Sequence, residues 1–164
     1  MYNFNLHIPT RIHFGKGTIS YLSELKNYGK KVLLVYGGGS IKKNGIYDTA
    51  MEFLKSVDIE VIELGGVEPN PRIETVRKGV ELCKKENVDF VLAVGGVSAI
   101  DSAKAIAAGA VYDGDFWDFY CGKWIEEALP VGTVLTIAAA GSEGSLSSVI
   151  THEDGMLKRG ADGD

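Results

Sequence analysis

The chain has 164 residues, of which 45% are hydrophobic and 24% charged, and its formal net charge is −5. This length and composition indicate one globular domain spanning residues 1–164. The acidic balance and the lack of a basic run argue against a nucleic-acid partner, and no stretch reaches the roughly 18 apolar residues of a membrane helix. Because the two cysteines, Cys83 and Cys121, are not accompanied by a secretory segment, we expect a cytoplasmic protein.

The N-terminal region differs from the rest of the chain. Residues 4–8 and 11–14 are separated by Pro9 and Thr10, which predicts a hairpin or a pair of edge strands. A short helix should follow, with Ile19, Leu22 and Leu25 facing inward.

From residue 31 onward, apolar runs rich in β-branched residues alternate with amphipathic stretches. The runs predict strands at 31–36, 59–64, 90–94 and 134–138, and the stretches predict helices at 41–57, 73–86 and about 99–110. This alternation predicts a doubly wound, Rossmann-like α/β fold with a parallel sheet. The polar, glycine-rich residues 155–164 predict a loose tail.

The turn after the third predicted strand is the strongest candidate site. Gly95 and Gly96 let a ligand approach the backbone, and Ser98 stands where an N-cap is expected, with Asp101 three residues later as in a capping box. A helix N-terminus of this kind suits a pyrophosphate, although the same residues could form only a capped turn. Asp101 is expected to be a helix-start residue rather than a catalytic acid. Lys104 either reaches a phosphate or points into solvent from the helix surface.

A second glycine-rich turn follows the first predicted strand. Gly38, Gly39 and Ser40 could form an anion-binding nest, with Lys42 and Lys43 close behind. A carboxylate that would hold the bare ribose of NAD is missing from this turn, so the sequence favours NADP over NAD. The alternative is a flexible turn without a ligand.

Two further segments follow predicted strands. Thr136 and Ser142 flank a run of small residues that either leaves room for a ribose or ring or forms a close-packed strand end. Asn70 lies between two prolines, where it either faces a ligand or bonds its own turn. The three histidines, at positions 7, 13 and 152, are scattered, so we predict neither a metal site nor a catalytic triad.

These motifs together resemble the iron-containing (group III) alcohol dehydrogenases, and most closely their NAD(P)H-dependent butanol dehydrogenase branch. The shared motifs, in chain order, are Gly37-Gly38-Gly39-Ser40, Pro69-Asn70-Pro71, Gly95-Gly96 with Ser98 and Asp101, and Gly141-Ser142-Glu143. The family interconverts primary alcohols and aldehydes by hydride transfer, with iron or zinc.

The resemblance implies a role for each matching position. Gly38, Gly39 and Ser40 would surround the adenosine ribose or its phosphate. Gly95, Gly96 and Ser98 would hold the pyrophosphate, with Asp101 beside the cofactor. Asn70, Thr136, Ser142 and Lys158 would complete the cofactor cleft.

The sequence also departs from the family pattern. Val97 replaces a glycine, and a β-branched residue resists a positive φ and narrows the approach to the phosphate. Ala140 replaces a threonine, and Gly144-Ser145 stand where Met-Asn is usual.

The helical domain that carries an Asp and three His as metal ligands in the family has no counterpart in this sequence. We therefore expect a truncated or engineered cofactor domain that is inactive alone and prone to self-association. The alternatives are a structural or binding module without catalysis and, less favoured by the triple glycine, a relative of glycerol dehydrogenase or dehydroquinate synthase.

Overall fold

A computed structural model describes residues 9–163, which contain six strands and four α-helices. The strands are β1 (Lys31–Tyr36), β2 (Glu60–Leu64), β3 (Phe90–Gly95), β4 (Val131–Leu135), β5 (Ser148–His152) and β6 (Leu157–Ala161). The helices are α1 (Ser40–Lys43), α2 (Ile46–Ser56), α3 (Ile73–Glu86) and α4 (Val97–Val111). Short 3-10 helices cover Thr18–Asn27, Phe116–Cys121 and Ser142–Gly144.

The first four strands form a parallel sheet in the order β2-β1-β3-β4, which confirms the predicted doubly wound fold. The chain moves outward from β1 to β2, crosses back to β3 and then continues to β4. The direction therefore reverses between β1 and β3, where Tyr36, the last residue of β1, is paired with Val94 of β3. In open α/β sheets, ligands bind in the crevice at the carboxyl ends of the two strands that flank such a reversal.

Helices cover both faces of the sheet because β1 and β3 are apolar on both sides. Leu33, Val35, Val91 and Ala93 pack toward α3 and α4, whereas Val32, Leu34, Phe90, Leu92 and Val94 pack toward α2 and the first 3-10 helix. Of the predicted inward residues of that 3-10 helix, Leu22 is buried, and Ile19 and Leu25 are packed against the same core.

The predicted strands and helices agree with the structure except at three places. The helix predicted at 41–57 is interrupted, because Gly45 adopts a left-handed φ of 79° between α1 and α2. β4 begins three residues before the predicted strand and ends at Leu135. Residues 9–14 carry no strand, and Phe14 is 97% exposed, so the 11–14 half of the predicted hairpin is wrong. Its other half, 4–8, lies outside the described residues.

The predicted loose tail is also wrong. Residues 157–161 form β6, which pairs antiparallel with β5. Ile150 of β5 and Ala161 of β6 are buried in the core beneath α4, which explains why a polar, glycine-rich segment is held in place.

The structure adds two facts about the chain as a whole. Among residues 9–163, no helix is both long and apolar enough to cross a membrane. Both cysteines are free thiols: Cys83 is buried, as its place on the apolar face of α3 predicts, and Cys121 is exposed.

Candidate functional site

A cleft of about 290 Å³ opens at the carboxyl end of the sheet, beside the N-terminus of α4. Its walls include five of the residues selected from the sequence, which come from four separate parts of the chain: Asn70, Ser98, Asp101, Ser142 and Lys158. Gly95 and Gly96 lead directly into the cleft, because Val97, the next residue, lines it.

The N-terminus of α4 is organised differently from the sequence prediction. The N-cap is Gly96, with φ −92° and ψ −170°, and no side chain caps the helix. Ser98 is therefore the second residue of the helix, and the predicted capping box with Asp101 is not formed. Because Val97 has helical backbone angles, the predicted conflict with a positive φ does not arise, although its side chain still narrows the cleft.

Asp101 lies at the base of the cleft, where it is 6% exposed. One carboxylate oxygen accepts a hydrogen bond from Ser142 Oγ at 2.6 Å, and the other accepts one from the backbone N–H of Val149 at 3.0 Å. Asp101 thus connects α4 to two points of the segment that follows β4, and it does not serve as a helix-start residue.

Lys104 lies one turn further along α4 and adopts neither of its two predicted roles. Its ammonium group is turned inward and donates to the backbone carbonyls of Ser142, Ser145 and Ser147 at 2.5, 2.8 and 2.9 Å. Burial lowers the pKa of Lys104, and the nearby carboxylates of Asp101 and Glu143 oppose this effect.

Asn70 and Lys158 line the cleft as a hydrogen-bonded pair. Asn70 has a left-handed φ of 57°, and its Oδ1 accepts a hydrogen bond from Lys158 Nζ at 2.9 Å rather than bonding its own turn. The backbone N–H of Thr151 donates to Pro71 O at 2.8 Å, so that β5 is attached to the loop before α3.

The second glycine turn lies next to this cleft, at the end of β1. A Cβ atom placed on Gly38 or Gly39 would meet nothing within 4 Å, so the turn has open space above it. Ser40 follows directly as the first residue of α1, and it is exposed.

A carboxylate does stand near this turn, although the turn itself has none. Glu63 of β2 accepts hydrogen bonds from the hydroxyls of Tyr36 and Tyr47 at 2.8 and 2.7 Å, and it lies 3.9 Å from Lys42 Nζ. Burial acts to raise the pKa of Glu63, but the two tyrosine hydroxyls and Lys42 outweigh it and hold the pKa below its ordinary value. The Lys42 ammonium also lies over both tyrosine rings, so it is engaged within this cluster.

The remaining candidates lie outside the cleft. Thr136 follows β4, and its backbone N–H donates to Gly95 O at 3.0 Å, although its side chain does not line the cleft. His13 stacks on Tyr21, and His152 contacts the edge of Trp117. Among residues 9–163, no three His, Cys, Asp or Glu side chains are grouped as metal ligands would be.

One part of the site was not predicted from the sequence, namely the segment from Ser145 to Val149. Ser145, Ser147, Ser148 and Val149 line the cleft together with Ser142. The run of serines was a visible signal, but only the three-dimensional contacts to Asp101 and Lys104 show why it lies against α4.

Comparisons with known proteins agree with the resemblance seen in the motifs. The family described as iron-containing alcohol dehydrogenase matches residues 9–162. The chain is 57% identical over 162 residues to a probable NADH-dependent butanol dehydrogenase 1 of Bacillus subtilis, covering 98% of this chain and 42% of that protein. It is 46% identical over 157 residues to the NADPH-dependent aldehyde reductase YqhD of Escherichia coli, covering 93% of this chain and 40% of that protein.

A solved structure is similar over the same extent. The crystal structure of NADH-dependent butanol dehydrogenase A from Thermotoga maritima superposes with a TM-score of 0.95 at 53% identity. The match covers 99% of this chain and 42% of that one. The chain therefore spans about two fifths of the length of these relatives.

Proposed function

The chain belongs to the iron-containing alcohol dehydrogenase family, and on that premise we propose that residues 1–164 form the domain that binds NAD(P) in an enzyme interconverting primary alcohols and aldehydes. The bound dinucleotide would supply or accept the hydride. The residues described above would bind it and orient it.

The cleft beside the N-terminus of α4, at the carboxyl end of the sheet, is the observation that carries this proposal. The N-terminus of a 15-residue helix, α4, opens into it without a side-chain cap, so its backbone N–H groups and dipole favour a pyrophosphate. We assign this pyrophosphate to Gly95, Gly96 and Ser98.

The other cleft residues would hold the sugar and the ring that follow the pyrophosphate. Asn70, Asp101, Ser142 and Lys158 present amide, carboxylate, hydroxyl and ammonium groups around one space. We place Thr136 at the rim of this space, because it is hydrogen-bonded to Gly95.

We further propose that the adenosine end occupies the turn at Gly38, Gly39 and Ser40, with NADP preferred over NAD. The absence of side chains at both glycines leaves room for a 2′-phosphate, and exposed Lys43 stands at the end of α1. Lys42 contributes less than the sequence suggests, because Glu63 and two tyrosines already engage its ammonium group.

The described residues do not fit the iron that gives the family its name, since they include no group of metal ligands. No reaction step is therefore assigned to this chain, and we propose that the 164 residues alone do not turn over butanal. Oxidation of NADPH by butanal in the presence of the chain and added iron or zinc would contradict this.

The test of binding is a fluorescence titration of NADPH and NADH with the chain. We expect both to respond, with NADPH binding more tightly, and Val97→Gly to strengthen binding by widening the cleft beside the pyrophosphate. Equal or reversed affinities would contradict the 2′-phosphate assignment. Absence of any response would contradict the binding function and favour a structural module.

Two further proposals concern the setting of the chain. We propose a cytoplasmic location, supported by two free cysteines. We also propose self-association of the isolated chain, supported by exposed apolar side chains near the cleft at Ile137, Leu146 and Met156. A monomeric mass by light scattering at high micromolar concentration would contradict the second.

A further inference from the structure

We propose that Lys104 is a positioning residue for the dinucleotide, which acts by holding the segment 142–147 in its binding geometry. This inference rests on the proposed binding function and assigns a role to a side chain that does not itself line the cleft.

The hydrogen bonds of Lys104 leave it no capacity for a direct contact with phosphate. A lysine ammonium has three N–H donors, and the three backbone carbonyls of Ser142, Ser145 and Ser147 lie within 2.9 Å of its nitrogen. The carbonyls converge on one cation, and this convergence fixes the path of the segment between them.

The segment needs such a fixed point because it has little structure of its own. Residues 142–144 form one 3-10 turn and β5 begins only at Ser148. The intervening residues contribute Ser145 and Ser147 to the cleft wall. Without the ammonium, three carbonyls would lose their common donor, and the segment would gain conformational freedom that a ligand must then remove.

The position of Lys104 on α4 relates this segment to the proposed pyrophosphate position. Asp101 lies three residues earlier on the same helix and accepts a hydrogen bond from the Ser142 hydroxyl, to which Lys104 also donates at 3.0 Å. The helix α4 thus presents its N-terminus to the proposed phosphates. Through Asp101 and Lys104 it also fixes the position of the segment 142–147.

The chain offers a matched control in Lys84. Its ammonium also donates to a backbone carbonyl, that of Tyr112 at 2.6 Å, but it lies on α3 and outside the cleft. Lys104→Met and Lys84→Met each remove an ammonium group that bonds to the backbone, and only the first acts on the cleft wall.

The experiment compares the two variants and the unmodified chain for binding of NADPH and of 2′,5′-ADP, which carries only the adenosine end. We expect Lys104→Met to weaken NADPH binding about tenfold while 2′,5′-ADP binding changes less than about twofold. The reason is that the entropy cost of ordering the segment lowers the affinity only of the ligand that contacts it. Lys84→Met should change neither. Equal weakening of both ligands, or no weakening, would overturn the proposal.

Hydrogen exchange separates a failure of this inference from a failure of the binding function. If the unmodified chain binds neither ligand, the binding function has failed. In either case, faster amide exchange within 142–147 in Lys104→Met than in Lys84→Met supports the anchoring role, and unchanged exchange overturns it.

Discussion

Replacement of Asp101 should destabilise the fold and identify the contact that holds the cleft together. Its carboxylate accepts one hydrogen bond from Ser142 and one from Val149, and it is almost completely buried. Alanine would leave both donors unpaired and would remove a carboxylate near the half-buried ammonium of Lys104. A hydrogen bond to a charged group contributes about 1.5–3 kcal/mol, so two such bonds predict a loss of about 3–6 kcal/mol.

Asparagine should have a smaller effect, because it preserves the shape and one oxygen acceptor but not the charge. We expect Asp101→Asn to lower the free energy of unfolding by about half as much as Asp101→Ala, on the order of 2 kcal/mol. With a urea m-value of about 2 kcal/mol/M, the denaturation midpoint should fall by about 2 M for alanine and about 1 M for asparagine.

Urea denaturation followed by circular dichroism measures these shifts, and Asp118→Ala is the control. Asp118 also accepts a side-chain hydrogen bond, from Tyr112 at 3.0 Å, but this contact is exposed. Its loss should change stability by less than about 0.5 kcal/mol. If Asp101→Ala destabilised the chain no more than Asp118→Ala does, the carboxylate would not be what joins α4 to the segment 142–149.

Four further perturbations test other parts of the structure. Gly79→Ala should lower the unfolding free energy by about 1–2 kcal/mol, because an ideal Cβ would lie 2.3 Å from Ile106 Cδ1 and helix propensity offsets only part of the overpacking; a more stable variant in thermal melts would refute this. Burial raises the pKa of the Cys83 thiol to about 12, so a thiol reagent at pH 8 should modify only Cys121 in the folded chain, and two equivalents of rapid labelling would contradict the assignment. Because the pKa of Cys83 is higher in the folded than in the unfolded state, the contribution of its thiol to stability should be complete below about pH 8.5 and decline from there toward pH 12. Urea midpoints of Cys83→Ala and of the unmodified chain across this pH range measure the decline. If the midpoints of the two proteins fell equally, the prediction would be refuted. Glu63→Gln should strengthen NADPH binding about threefold at low salt and leave NADH binding unchanged, since it removes a negative charge beside the turn that would hold the 2′-phosphate. An equal gain for both cofactors would refute the proposed position of the 2′-phosphate.

The sequence predicted the sheet well because its signals there are local. β1 and α3 were predicted with the observed bounds, since a continuous apolar run and a clear apolar stripe depend only on neighbouring residues. The break at Gly45 was missed because glycine at that position is compatible with either a continuous or an interrupted helix, and only its left-handed φ distinguishes them.

The candidate site was predicted only in part because its contacts join distant residues. Asn70, Ser98, Ser142 and Lys158 were selected and lie around one cleft. The partners of Asp101 could not be foreseen, because Val149 is 48 residues away and Ser142 is 41. The sequence around Asp101 predicted a capping box, whereas in the structure its carboxylate accepts hydrogen bonds from Ser142 and Val149.

The hydrogen bond between Asn70 and Lys158 has a consequence for the order of events during synthesis. These residues are 88 positions apart, whereas the strands β1 to β4 are complete by Leu135. A ribosome-bound chain can therefore assemble its sheet before the wall formed by β5 and β6 has emerged. The nascent protein would pass through a stage with an assembled sheet but without the core contacts of Ile150 and Ala161, and the hydrogen bond between Asn70 and Lys158 could form only after residue 158 had left the exit tunnel.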